Sequence, residues 1–429
     1  MKVETCDIAI VGAGPAGLNA ARVAARAGVR VALVDDNPRP GGQIWRQGPT
    51  LAPAAPLREW LDDARTHANL VAMNATKVAA APGGKRLMLE RDGAPVALAY
   101  SKLILATGAR ERLLPFNGWT LPGVTGAGGL QALVKGGMPV RGERIVVSGS
   151  GPLLLAAADT ARRHGAHIVA VIEQAPLARV ARFVASLALT PGKLAQAVAL
   201  GAARYRMGGV VVKAHGDARV EAVTIRAKGR ETTLAADRIA CGYGLVPNAT
   251  LALALGCAID ESEGAITVDD TQRTSQADIF AAGECTGIGG MELASVEGAL
   301  AAHAALGTAA DAQIAQITRL VRERDRWRAF ARRVARAFEL GGEARAMPSP
   351  DTLMCRCEDV PVGAVAAHAS WRDAKLHPRC GMGRCQGRVC GEAASVYFGW
   401  PRAAARPPFA PVRIDTLIAA RDHAEPIVR

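Results

Sequence analysis

Residues 7–35 read DIAIVGAGPAGLNAARVAARAGVRVALVD, and this stretch decides the fold. The apolar run 8–11 predicts a buried strand that ends in Gly12, Gly14 and Gly17, spaced as G-x-G-x-x-G. A helix is expected from 15 to about 27, because Pro15 suits a first helical turn and Gly28 stands where a terminating glycine belongs. A second strand over 31–34 ends on Asp35. In this setting the first glycine permits a tight turn, the second lets backbone approach a pyrophosphate, and the third lets helix and strand pack closely. The helix start, with Pro15 and Ala16, turns free N–H groups toward phosphate. Asp35 is placed for a ribose hydroxyl. The stretch predicts a dinucleotide-binding unit.

The pattern then recurs. Residues 144–173, RIVVSGSGPLLLAAADTARRHGAHIVAVIE, again give strand, glycine turn, helix and strand, ending on Glu173. Residues 220–244 echo residues 86–108, each with strands, a turn and an apolar strand ending on glycine. Two such units imply an α/β chain with two Rossmann-like domains. The second glycine loop keeps Gly149 and Gly151 but carries Leu154 at the third position, which should hold helix and strand further apart. Glu173 favours a free ribose hydroxyl, hence NAD over NADP. Three readings stay open for this loop: NAD(H), another adenine nucleotide, or a structural turn without ligand.

The chain has 429 residues and a formal net charge of +13. Its arginines are scattered, so the charge reads as composition and no nucleic-acid partner is expected. The basic run 319–338 has apolar residues at helical spacing and predicts one amphipathic helix. No apolar stretch is long enough for a transmembrane helix, and the first residues flow straight into the glycine loop, unlike a signal peptide. A proline-rich tail spans 400–413 and is incompatible with a helix or central strand.

Five of the nine cysteines fall between 355 and 390. Clustered cysteines in a chain without a secretory signal point to metal or redox chemistry. Four thiolates suit a [2Fe–2S] cluster or tetrahedral zinc, and an unmetallated structural role is the third reading. The C-x-C pair at Cys355 and Cys357 is tighter than the usual zinc pair, which favours iron–sulfur. His368 and His377 lie nearby but are not expected as ligands. Cys241, Cys257 and Cys285 are solitary and read as small buried hydrophobes.

KLILATGAR (102–110) and TSQADIFAAGECTG (274–287) resemble two further segments of the two-dinucleotide-binding flavoprotein superfamily. The resemblance implies FAD at the first site. It sets Thr107 and Gly108 against the flavin nucleotide and Gly283 and Glu284 on the ribityl chain, where the family usually has Asp. Gly42 and Gln43 of PGGQIW complete the implied set. No C-x-x-C or C-x4-C pair occurs between 36 and 350, so disulfide reduction beside the flavin is disfavoured.

CRCEDV (355–360) followed by RCGMGRCQGRVCG (379–391) resembles the domain of bacterioferritin-associated ferredoxin. More narrowly, it is similar to the larger flavin subunits of opine oxidases, hydrogen cyanide synthase and D-hydroxyproline dehydrogenase, as are GSGPLLL (149–155), GYGLVPN (242–248) and PPFAPVRIDTL (407–417). The resemblance implies cluster ligands Cys355, Cys357, Cys385 and Cys390. Cys380 is left over, although spacing alone would let it replace Cys385. Expected boundaries are 1–117 with 240–308 for a discontinuous FAD domain, 118–239 for the second nucleotide domain, 309–350 for a helical linker, and 351–429 for a small, mostly helical iron–sulfur domain with its tail. The implied function is electron transfer within a multi-subunit amino- or imino-acid dehydrogenase. Its implied partners are a smaller FAD-dependent subunit that oxidises the amine and a small ferredoxin-like subunit. Its implied place is the cytoplasm or the inner face of the cell membrane. The alternatives are a stand-alone NAD(P)H:acceptor flavin reductase and a non-catalytic assembly subunit.

Overall fold

The computed structural model describes residues 2–49, 52–201, 204–307, 311–401 and 406–422. The chain opens with β1 (Lys2–Val11), α1 (Pro15–Arg26), β2 (Val31–Val34), α2 (Ala55–Ala64) and β3 (Leu70–Met73). It continues with β4 (Thr76–Gly83), β5 (Arg86–Arg91) and β6 (Ala94–Leu105). The first sheet runs β3-β2-β1-β6-β5-β4. It is parallel from β3 to β6 and antiparallel from β6 to β4. β1 begins six residues before the expected strand, because the twelve-residue β6 pairs with it from Lys2 to Val11. Only its last four residues, 8–11, are continuously buried, which is the part the apolar pattern marks.

Next come β7 (Ala109–Glu111), β8 (Val124–Thr125), α3 (Ala127–Lys135), β9 (Arg144–Ser150), α4 (Leu153–Arg163) and β10 (His167–Glu173). Helices α5 (Leu177–Ser186) and α6 (Pro191–Leu200) lead to β11 (Tyr205–Met207). An antiparallel trio follows, β12 (Gly209–His215), β13 (Ala222–Ala227) and β14 (Arg230–Ala235), then β15 (Arg238–Tyr243). The second sheet, β11-β10-β9-β15-β8, is parallel throughout. β16 (Leu245–Pro247) pairs with β7 where the chain crosses between the sheets. After α7 (Thr250–Ala254), β17 (Ile279–Ala281) rejoins the first sheet beside β6, and α8 (Gly290–Leu306) packs on α1.

The long basic helix is α9 (Asp311–Ala337), longer than the periodicity indicates. Arg328 pairs with the buried Glu297 of α8 at 2.9 Å. Further along, Arg333 donates to the Ser186 carbonyl and Phe330 packs on Phe183, so α9 spans both nucleotide units. The remainder is α10 (Gly342–Arg345), β18 (Leu353–Cys355), β19 (Val360–Pro361), α11 (Val362–Ala366), α12 (Trp371–Leu376), α13 (Cys390–Phe398) and α14 (Ile414–Asp422). The cysteine region shares one core with the second unit, Met354, Val365 and Ala393 clustering with Phe116, Val210 and Tyr243. Residues 402–405 of the proline-rich tail lie outside the described residues. The described part returns to the first sheet, where Phe409 N–H donates to the Ala79 carbonyl and the Arg413 N–H and Thr416 hydroxyl donate to Glu90. No helix among the described residues is long and apolar enough to cross a membrane.

Candidate functional site

The first glycine loop is an open cradle. Gly12 has φ +108°, and a Cβ there would stand 2.1 Å from the Ala106 carbonyl oxygen, so only glycine fits between β1 and β6. Gly14 is different: its φ of −81° suits any residue, and a Cβ would meet only Gly42, at 3.8 Å. Gly14 and Gly42 therefore face each other beside open space floored by backbone, and a Cβ at Gly108 would likewise meet nothing within 4 Å. Gly12, Gly14 and Pro15 are all half-buried. Asp35 is buried behind the loop and accepts from the N–H groups of Ala13 and Asn37. Gln43 is held by Arg46, which also donates to Asn37. Thr107 is pinned by mutual bonds with Asn248: its hydroxyl donates to the Asn248 carbonyl at 2.6 Å, and the Asn248 amide returns 3.1 Å to Thr107.

Glu284 receives one long bond, 3.3 Å from the Gly290 N–H, and burial raises its pKa. A half-buried carboxyl so poorly partnered suits an incoming hydroxyl. The glycine cradle, Asp35 and Glu284 fit FAD. Sequence reasoning missed Glu297, which accepts from the Gly283 and Thr286 side of the same turn at 3.1 Å and holds it. Its signal is an acid in the middle of the apolar helix ELASVEGALAAHAAL, five residues beyond the Glu292 of the first turn. Beside the GGQ loop, a cleft of about 280 Å³ is walled by Trp45, Trp60, Arg22, Met291 and Glu292.

The second glycine loop is closed. Gly149, Ser150 and Gly151 are all buried. The Ser150 hydroxyl donates to the Phe338 carbonyl at 2.7 Å. Gln174 donates to Ser150 and to the Glu339 carbonyl, both at 3.0 Å, and accepts from the Gly341 N–H at 2.9 Å. The segment 338–341, the chain's own link from α9 to α10, thus lies over the loop. Glu173 is fully buried and committed inward, accepting from the Gly151 and Ala175 N–H groups and the Tyr205 hydroxyl. Burial raises its pKa. Leu154 is fully buried in the core of this unit, filling the space a third glycine would leave between helix and strand.

The five cysteines converge. The sulfurs of Cys355, Cys380 and Cys390 lie within 4.8 Å of one another, all buried. Cys385 is half-buried, with the Cys390 and exposed Cys357 thiols close enough to perturb its own. Cys380, which the resemblance leaves over, therefore sits in the tightest part of the group. The cause is local: Arg379 and Gly381 have φ of +68° and +83°, and the loop turns Cys380 inward. The neighbouring Cys390 thiol lowers the pKa of Cys380 and of Cys385, while Cys390 itself is driven up by the same partners. A Cβ at Gly383 would come 2.2 Å from the Cys357 Cβ, so the loop needs its glycines to close on the thiols. The Gly381 N–H points at the Cys355 sulfur at 3.4 Å. The indole N–H of Trp371, packed against Gly381 and Gly387, is buried without a partner among the described residues. A compact thiol set with an unused donor beside it fits a sulfur-bridged cluster. His368 and His377 stack on each other at 5.2 Å. Cys241, Cys257 and Cys285 are free and buried.

One side chain that the sequence reading did not single out joins these regions. Arg110 follows the Ala106–Thr107–Gly108 turn, and its guanidinium donates to Pro247 and Asn248 on the flavin side. It also donates to Glu392 at 2.7 Å and to the Arg388 carbonyl at 3.3 Å, on either side of Cys390. Glu392 is buried, so the pair is shielded from solvent.

Residues 6–306 match the family model described as pyridine nucleotide-disulphide oxidoreductase. An opine oxidase subunit from Rhizobium meliloti is 31% identical, over 96% of this chain and 87% of that protein. Hydrogen cyanide synthase subunit HcnB from Pseudomonas aeruginosa is 32% identical, over 89% of this chain and 90% of that protein. Among solved structures, L-proline dehydrogenase from P. horikoshii superposes with a TM-score of 0.66 at 18% identity, covering 97% of this chain and 80% of that one. Thioredoxin reductase from T. acidophilum gives 0.56 at 24% identity, over 70% and 98%. These two likenesses concern the fold.

Proposed function

The chain belongs to the pyridine nucleotide-disulphide oxidoreductase family as an FAD-dependent oxidoreductase related to subunits of amino-acid oxidases, and from that premise we propose that it is an electron-transfer subunit. In this reading a partner, a smaller flavin-dependent subunit, oxidises an amino or imino acid of the opine, D-hydroxyproline or glycine type. When bound, FAD supplies two-electron chemistry and a [2Fe–2S] cluster one-electron chemistry. Gly12, Gly14, Gly17 and Asp35 hold the dinucleotide, Glu284 the ribityl hydroxyls, and Cys355, Cys357, Cys385 and Cys390 the cluster, with Cys380 packed against them.

The observation that carries the reading is Arg110. It fixes the flavin-side turn and the helix of Cys390 to each other, as a relay between two redox groups requires. The covered second glycine loop supports electron entry from a protein partner rather than from a nicotinamide.

Low-temperature electron paramagnetic resonance of reduced, iron-replete protein tests the cluster. Cys385→Ala abolishes the signal and Cys380→Ala keeps it; a signal lost in the second variant and kept in the first overturns the ligand assignment. Oxidation of such an amino acid at full rate by the isolated chain, with an artificial acceptor, would sink the relay.

A further inference from the structure

Trp371 is the first residue of α12, and its neighbours in the stretch SWRD fix its position. Ser370 caps the helix: its hydroxyl accepts from the Asp373 N–H at 3.2 Å and donates to the Asp373 carboxylate at 2.6 Å. The Cys380 N–H donates to the Ala374 carbonyl at 3.0 Å, which ties the cysteine loop to the same helix. The indole packs into the turn between Cys380 and Cys390. A Cβ at Gly381 would stand 2.6 Å from its ring and one at Gly387 2.9 Å, so both positions need glycine for the ring to lie there. At Gly387 and Gly391 the ring atoms nearest the glycine are Cζ2, Cη2 and Cε2, and Cε2 is the carbon that carries the indole nitrogen. Trp371 is 7% exposed and shares one core with Cys355, Cys380 and Cys390.

A buried indole N–H ordinarily finds an acceptor. The other buried tryptophans have one: Trp60 donates to the Leu18 carbonyl and Trp119 to the Leu353 carbonyl, both at 2.6 Å. Nε1 of Trp371 has none among the described residues. A phenylalanine would fill an apolar site without leaving a donor unpaired. An indole kept here points to an acceptor that the polypeptide itself does not supply. The acceptor chemistry of this core is sulfur, the thiolates of metal-bound cysteines and the sulfide that bridges iron. A neutral donor at such a site acts on the redox balance. Reduction adds one electron, and an N–H dipole aimed at sulfur stabilises the more negative state more.

We propose that the Trp371 indole N–H donates to a sulfur of the iron–sulfur cluster and raises its reduction potential. The proposal rests on the cluster reading above and deepens it, adding a donor to the group outside the cysteines.

Pulsed electron paramagnetic resonance of the full-length, iron-replete, dithionite-reduced holoprotein, isotope-labelled at the indole nitrogens, is the test. The cluster signal carries a coupling to an indole nitrogen. Trp371→Phe loses that coupling and keeps the signal and the iron content per chain. In a redox titration the same variant holds the electron about tenfold less tightly, a midpoint lower by ~59 mV for one electron. A parent signal without the coupling, or an unchanged midpoint in Trp371→Phe, overturns the proposal and leaves the cluster reading standing. A parent with no cluster signal overturns both. If Trp371→Phe fails to fold, Trp119→Phe decides. A coupling that survives in it upholds the assignment to Trp371, and a coupling lost in it overturns that assignment.

Discussion

The two glycine loops are built from one pattern and end in opposite states. Each has a strand, a glycine of strongly positive φ, a helix start and an acid at the end of the next strand. At the first, Gly12, Gly14 and Pro15 are half-buried beside open space, and Asp35, itself buried, accepts from the Ala13 and Asn37 N–H groups. At the second, Glu173 accepts from the Gly151 and Ala175 N–H groups in the same manner, but the glycine backbone is buried under 338–341. The difference arises far away in sequence, from a linker that only this fold brings back. A G-x-G motif thus specifies a turn that can receive phosphate; what lies over the turn decides whether it does.

The largest effect is expected at Gly14. Its backbone tolerates any residue, so Gly14→Val folds, and its side chain fills the open space. Flavin retained per chain falls at least about tenfold, read from visible absorbance, with far-ultraviolet circular dichroism unchanged. Parental flavin content in this variant would break the comparison at its open end.

Next is the response to NADH. A ligand present at 100 times its Kd would stabilise the fold by about 2.7 kcal/mol. The covered loop predicts no shift in melting temperature and no anaerobic bleaching of the flavin by NADH. Saturable stabilisation by NADH would mean that 338–341 yields to the nucleotide.

Gln174 is the main clasp of that segment, with bonds to Ser150, Glu339 and Gly341. Gln174→Ala leaves the Gly341 N–H and the Glu339 carbonyl without this partner and costs roughly 1–3 kcal/mol in urea unfolding. Faster amide exchange at Gly151 would locate the loss at the loop.

How much of this was legible follows the range of each interaction. The strand–turn–helix order from β1 to β2, with an acid directly after β2, rests on neighbours in sequence and could be read. The gathering of cysteines was legible as a cluster. The position of Cys380 was not, because it depends on the left-handed Arg379. Arg110 stands in an unremarkable ATGAR, and its partner Glu392 is 282 residues away. Glu173 is bonded as Asp35 is; the covering of its loop by 338–341 could not be read, because it leaves no mark near residue 173.

The smallest effect is expected at Ser150, whose counterpart in the first loop is Ala13. Ser150→Ala converts the second loop to the first at that position. It removes the donor to the Phe338 carbonyl and the acceptor for one Gln174 N–H, while Gln174 keeps Glu339 and Gly341. The expected loss is about 0.5–1.5 kcal/mol. NADH affinity should stay absent, since Phe338 packs on Phe183 and holds the segment without the hydroxyl. If this one substitution admits NADH, the hydroxyl is a latch and the second loop is a gated site rather than a filled one.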